Sequence, residues 1–358
     1  MNTIPSIFNQ RVVARTVFGG SEVCPNVRMD AAVILINGSW SPSRMKTLDM
    51  LLDCGFKSVV SVERNPENYN IEDISHRFPS VKFIIPLERV TDGDLVNMAM
   101  QEVEGEYALV LRDSIDIFAN ILTPKLFSKI TEGKPFCVCP WLKLQDGVSF
   151  PVVFSPSSDG SVFRVDSSTK ITDGINNLYP FDGIALFNRS KFIALGGYDY
   201  TIVPAYWQNL DLSFRAWLWG EKIVLSSFLT MSYGADRAEE DTTASQYSNR
   251  FYLKNLVPKF VRDHAEIPWS SFLLFLPRSS CGFFEALGQF RDARRWVREN
   301  QYRFRLDAVS LVEGWGEEEE KANAQSVAAM LRAVENVQAA EERKNDGGIP
   351  AEKDKKEK

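Results

Sequence analysis

The chain has 358 residues, 44% of them hydrophobic and 25% charged, a composition that suits one large folded domain or two smaller ones. Its formal net charge of −6 argues against a general nucleic-acid binder, so no nucleic-acid partner is expected. Five cysteines, an odd number with only Cys137 and Cys139 close together, argue against a disulfide scaffold or zinc ribbon, and two histidines, His76 and His264, exclude a multi-histidine metal site.

In chain order, residues 1–30 show no hydrophobic period and are expected to form an N-terminal arm. The run from Ala31 to Ile36 reads as a buried strand, with Ser41 as cap and Pro42 in the first turn of a helix whose apolar face is Met45, Leu48, Leu51 and Leu52. Lys57 to Val62 is a second strand, Ile71 to Phe78 a short helix, Val81 to Pro86 a third strand, Asp92 to Val103 a helix and Tyr107 to Leu111 a fourth strand. Strands alternating with helices at this spacing predict an α/β domain with a mostly parallel sheet. Ligands in such sheets bind beyond the carboxyl ends of the strands, which here carry Asn37, Glu63 and Asp113. Residues 135–195 read as short strands and polar turns, Asn209 to Trp219 as a helix stopped by Gly220, and Thr243 to Arg305 as mostly helical. Phe272 to Leu276, ended by Pro277, is too short to span a bilayer, which takes roughly 20 apolar residues, and is expected in the core. On one helical face, Arg291, Arg294, Arg295 and Arg298 read either as a solvated surface or as a contact for an anionic partner. Beyond Gly316 the stripe Val327, Met330, Val334, Val337 predicts a docking helix, and the charged end from about Asn345 predicts disorder. With no leader or spanning segment legible, a cytoplasmic protein, open to peripheral membrane contact, is expected.

Two segments carry the chemistry. The first is Gly196-Gly197-Tyr198-Asp199, followed by Trp207-Gln208-Asn209-Leu210-Asp211-Leu212 and Arg215. Paired glycines allow a sharp turn and close approach of backbone to ligand. Trp207 offers a flat apolar face of the kind that packs on sugar rings. The second is Asn97 on a helix, then Gly105-Glu106-Tyr107 leading into a strand that ends Arg112-Asp113-Ser114-Ile115-Asp116.

In this order the two segments resemble the signatures of glycosyltransferase family 2 and its GT-A relatives, over about residues 31–260. The resemblance implies a GT-A α/β/α sandwich (31–242) with a helical extension (243–312) and a charged helical tail (313–358). It implies transfer of a sugar from a nucleoside-diphosphate donor to a hydroxyl on a glycan, lipid or protein acceptor. Donor contacts then fall on Asn37, Glu63, Asn97, Arg112, Asp113 and Asp116, and acceptor contacts on Gly196, Gly197, Tyr198 and Trp207. Relatives hold a divalent cation, manganese or magnesium, at the strand end, which here falls to Asp113 and Asp116. Catalytic roles fall on Asp211, Asp199 and Asn209. The chain departs from the pattern where it matters most. Arg112 and Ser114 stand where the Asp-x-Asp carboxylates belong, Gln208 and Asn209 where an acidic pair belongs, and Tyr233 near a metal-binding histidine of some relatives. Asn209 cannot take a proton at neutral pH. Two readings therefore stand: a transferase, with Arg112 meeting the diphosphate in the cation's place, or a binding or scaffold module of the same fold without turnover. A nucleotidyltransferase is disfavoured, because Asn37-Gly38-Ser39-Trp40 is not a glycine-rich phosphate loop with a basic residue.

Overall fold

The computed structural model describes residues 11–38, 44–64, 71–117, 121–160, 162–234, 237 and 239–315. Ser41 and Pro42, and the tail positions Val327, Met330, Val334, Val337 and Asn345, lie outside the described residues. The chain divides into two compact units, Met1–Glu313 and Gly314–Lys358, and the architecture below is that of the first.

Its strands are β1 (Arg15–Gly19), β2 (Ala31–Asn37), β3 (Ser58–Glu63), β4 (Val81–Pro86), β5 (Tyr107–Arg112), β6 (Cys137–Lys143), β7 (Val153–Asp159), β8 (Val162–Ser168), β9 (Ile175–Asn176), β10 (Ala185–Asn188), β11 (Ile223–Ser232), β12 (Lys259–Val261) and β13 (His264–Glu266). The helices are α1 (Arg44–Asp53), α2 (Ile71–Arg77), α3 (Asp92–Glu102), α4 (Pro124–Ile130), α5 (Arg189–Leu195), α6 (Ala205–Leu218), α7 (Gln246–Phe251), α8 (Ser271–Phe275) and α9 (Phe283–Asn300).

Nine strands form one sheet in the order β1-β4-β3-β2-β5-β10-β6-β11-β9. β4, β3, β2 and β5 are mutually parallel, as the alternation of strands and helices predicts. Every residue of β2 is buried, because helices cover both faces of a parallel sheet centre. β10 runs antiparallel between β5 and β6, and β6 continues parallel to β11. The stretch expected as an arm contributes β1, which closes the sheet edge by pairing antiparallel with β4 from Arg15↔Pro86 to Gly19↔Lys82.

Local chemistry sets the elements that frame the cleft. α3 opens with a capping box, in which Thr91 accepts from the Asp94 N–H at 3.2 Å and Asp94 accepts from the Thr91 N–H at 2.9 Å. α5 ends at Gly196, whose φ of 89° is the left-handed helix cap, and Gly197 follows at 64°. Two successive left-handed residues turn the chain sharply enough to bring Tyr198 against α3. There the Asn97 amide accepts from the Tyr198 N–H at 3.0 Å and donates to its carbonyl at 2.9 Å. The two sequence signatures thus bind each other through Asn97. Gly93 permits this approach: a Cβ there would meet the Tyr198 Cβ at 2.5 Å and Gln208 Oε1 at 2.9 Å.

The segment after β11 combines α7, a π-helical turn over Tyr252–Leu256, the β12–β13 hairpin, α8 and α9. Phe272 and Phe275 are buried as expected for the apolar run. Leu273 and Leu274 correct that expectation, being 73% and 69% exposed, because a five-residue helix on the surface turns only one side inward.

Candidate active site

Beyond the carboxyl ends of β2 and β5, the starts of α3 and α6 meet over a cavity of about 260 Å3. Its wall includes Asp92, Gly93, Arg112, Asp182, Tyr198, Gln208, Asn209 and Glu240. Of the residues predicted from sequence, this cavity brings together Arg112, Tyr198 and Asn209.

Arg112 ends β5 and is held by two carboxylates. Its Nη2 lies 2.9 Å from Asp92 Oδ2, and its Nε 2.8 Å from Asp182 Oδ1 and 2.9 Å from the Asp182 carbonyl. Arg64 forms a second ion pair with Asp92. Burial would raise the Asp92 carboxyl, but Arg112 and Arg64 outweigh it and hold it below the ordinary range. Asp182 has one such partner among the described residues, and burial pushes it up to about 6 against the pull of Arg112. It sits at φ 54°, a left-handed turn that aspartate tolerates, just before β10.

That turn presents the Asp182 N–H to Glu240 Oε1 at 3.1 Å, while the Tyr179 hydroxyl donates to Oε2 at 2.8 Å. Burial is the main reason the Glu240 carboxyl is pushed up to about 7. Tyr233 is fully buried beside this group and its hydroxyl donates to Asp182 Oδ2 at 3.4 Å. The cavity therefore carries two carboxyl groups, Asp182 and Glu240, that change protonation near neutral pH. Neither stood out in the sequence. They come from a turn and a coil segment 58 positions apart, and the only local hint is Asp182 beside Gly183 at a strand entry.

The amides in place of the acidic pair have distinct surroundings. Gln208 is absorbed into the scaffold: its Oε1 accepts from the Gly93 N–H at 2.9 Å and its Nε2 donates to Thr91 Oγ1 at 2.8 Å. Asn209 donates to the Pro180 carbonyl, but its Oδ1, though buried, has no partner among the described residues. A buried acceptor left without a donor costs about 1–3 kcal/mol.

The other predicted residues lie elsewhere. Asp211 is fully buried: its Oδ2 takes Arg215 Nη1 at 2.7 Å and Lys254 Nζ at 3.0 Å, and its Oδ1 takes Asn255 Nδ2 at 2.8 Å. Asp199 binds Arg250 Nε at 2.7 Å, Lys254 Nζ at 2.8 Å and the Thr201 hydroxyl at 2.6 Å. Burial would raise its carboxyl, but Lys254 and Arg250 overwhelm that and hold it far below the usual range. The π-helical turn, one residue wider than an α-turn, lets both Lys254 and Asn255 reach α6. Both aspartates, expected as catalytic, are committed to cations and do not line the cavity. Trp207 packs on Phe251 with centroids 5.6 Å apart and donates its indole N–H to the Thr243 carbonyl at 3.0 Å.

Asn37, Asp113 and Asp116 line a separate hollow of about 170 Å3 beside α1. Glu63 is fully buried in an ion pair with Arg44, and Ser61 donates to it at 2.7 Å, while Asn37 donates to Ser61 at 2.8 Å. Asp113 accepts from the Gly38 N–H at 2.8 Å. Among the described residues no three His, Cys, Asp or Glu groups come together as cation ligands. At this strand end Arg112 is paired with Asp92 and Asp182, one oxygen of Asp113 is engaged by the Gly38 N–H, and Asp113 and Asp116 line the same hollow.

No protein-family model matches the chain, and no curated protein sequence matches it. Among solved structures it is similar to GalNAc-T7 with UDP, GalNAc and Mn2+, with a TM-score of 0.53 and 14% identity over 84% of this chain and 58% of that one. The chain thus spans little more than half the length of that protein. It is also similar to a mannosyltransferase, PcManGT from Pyrobaculum calidifontis, in complex with GDP-Man and Mn2+, with a TM-score of 0.38, 11% identity, and coverage of 89% of this chain and 83% of that one. The second likeness is too loose to carry an argument. The first, with the parallel-rich sheet and its flanking helices, gives the chain the fold of the GT-A glycosyltransferases. Among the described residues no helix is long and apolar enough to cross a membrane.

Proposed function

We propose that this chain is a glycosyltransferase that binds a nucleotide sugar over the end of β5 and moves the sugar to an acceptor hydroxyl. The placement in family 2 in particular, and the division at residues 242 and 312, belong to this proposal and rest on the two signatures. Glu240 is the proton acceptor. The acceptor oxygen bonds to the anomeric carbon, its proton passes to Glu240, and the bond from that carbon to the diphosphate oxygen breaks, releasing the nucleoside diphosphate. Arg112 meets a diphosphate oxygen through Nη1, in a charge-assisted bond that needs no cation. Asn209 Oδ1 accepts from a sugar hydroxyl.

The observation that carries the reading is Glu240, poised near neutral pH in the cavity that also holds Arg112 and is lined by Asn209 with its unpaired buried acceptor. A general base works best when its pKa lies near the operating pH. The test is release of nucleoside diphosphate from a panel of UDP- and GDP-sugars, with and without manganese. Turnover should survive chelation, fall by about 100-fold or more in Glu240→Gln, and rise with pH through about 7.

One observation favours the alternative of a binding module without turnover: Asp211 and Asp199 are sealed by cations and Gln208 is spent on α3. Calorimetric binding of a nucleoside diphosphate without release from any sugar donor would establish that alternative.

A further inference from the structure

A second surface lies away from the cavity, on α8 and α9. α9 buries Ala286, Phe290, Ala293 and Val297. Its exposed side, by helical spacing, carries Phe284, Arg291, Arg295 and Arg298, with half-buried Arg294 at one margin and Glu285, Asp292 and Glu299 at the other. Phe284 is 86% exposed and packs on Phe283, which with Trp269 borders the buried Phe272 and Phe290, and Leu273 and Leu274 are exposed on the adjoining α8. The arginines adjoin it directly. The Arg294 guanidinium lies 4.7 Å from the Trp269 ring centroid and donates to the Ile267 carbonyl at 2.8 Å. Arg295 reaches Asp292 at 3.4 Å in an exposed pair, which is weak. Arg291 and Arg298 have no ion-pair partner among the described residues. The same four arginines line a concavity of about 350 Å3 with His264, Glu266 and Trp269.

We infer that the α8–α9 face docks on an anionic lipid surface, with Leu273, Leu274, Phe283 and Phe284 entering the headgroup boundary and Arg291, Arg294 and Arg298 meeting lipid phosphates. Charge complementarity decides the occupant. Residues 259–303 carry eight Lys or Arg against five Asp or Glu, in a chain whose net charge is −6. Apolar side chains beside a row of arginines on one helix are what a charged, half-apolar boundary requires.

The test is co-sedimentation of the full chain with vesicles of phosphatidylcholine, alone or with phosphatidylglycerol. Binding should require the anionic lipid and weaken as salt rises. Each arginine near such a surface contributes about five-fold in partitioning, so Arg291→Glu with Arg298→Glu should lower binding by ~25-fold or more. Leu273→Asp with Leu274→Asp should abolish it, and Val148→Asp, an exposed apolar site elsewhere, should change nothing. All five positions are exposed, so the variants should melt with the parent. Absence of binding, equal binding to neutral vesicles, or indifference to both pairs would overturn the inference. So would light scattering that shows a dimer of the parent turned to monomer by Leu273→Asp, since a second copy would then cover this face. None of these outcomes bears on sugar transfer, which is read separately.

Discussion

Lys254 offers the sharpest test of how the sequence signature is held. Its ammonium is 1% exposed, bridges Asp199 Oδ2 at 2.8 Å and Asp211 Oδ2 at 3.0 Å, and lies 4.5 Å from the Trp296 ring centroid. Lys254→Met keeps most of the buried stem but removes the charge. Asp199 would retain Arg250 and Thr201, and Asp211 would retain Arg215 and Asn255, so neither carboxylate is stripped bare. Removing one partner from a buried ion pair costs about 3–5 kcal/mol, and the remaining cations place this site towards the lower end, ~3 kcal/mol. That is a large part of a typical total of about 5–15 kcal/mol. The loss should depend on pH with a defined sign. Asp199 has a depressed folded pKa, so its contribution is present above the ordinary carboxyl range and fades as pH falls below it. Lys254 is itself pulled down by burial against its two aspartates, which limits the net gain from the pair. Urea unfolding of parent and Lys254→Met, from neutral to acid pH, should show the gap in stability shrinking once pH falls below about 4. A gap under about 1 kcal/mol at pH 7, or one that is flat with pH, would refute the view that this ion network clamps the Gly-Gly turn to α6.

Gly93→Ala should destabilise by about 1–3 kcal/mol in urea unfolding, because the new methyl overlaps the Tyr198 Cβ and leaves Gln208 no room. Asn97→Ala removes both amide bonds to the Tyr198 backbone and should cost about 1–3 kcal/mol in urea unfolding, and Asn97→Asp, which keeps the acceptor but sets an oxygen against the Tyr198 carbonyl, should not restore the loss. Glu240 has a raised folded pKa, so its neutral form is favoured in the fold and the chain should lose stability as pH rises from 4.5 to about 7. Glu240→Gln should flatten that slope, by on the order of 1–3 kcal/mol across the window, in thermal melts at stepped pH.

Much of the frame follows from the sequence alone. The apolar runs at β2 to β5, separated by helices of matching period, determine a parallel sheet, because each run can be buried only between two helical layers. Gly196 and Gly197 mark the turn because other residues rarely adopt two left-handed conformations in succession, whereas the bonding of Asn97, read from sequence as a donor contact, to the backbone of Tyr198 emerged only from the structure. Long-range geometry decided the rest. β10 enters antiparallel between β5 and β6, a placement no local period encodes. Whether an aspartate faces solvent, substrate or a lysine depends on segments distant in the chain. Asp211 and Asp199 acquired their cationic partners when the π-helical turn brought Lys254 and Asn255 against α6, while Arg250 at the end of α7 reached Asp199. Asp182 and Glu240 stand out because folding brings two carboxyl groups together, and burial is what moves their protonation towards the neutral range. Sequence supplies the residue types and their periods; desolvation and partner charges arise only when the chain closes on itself.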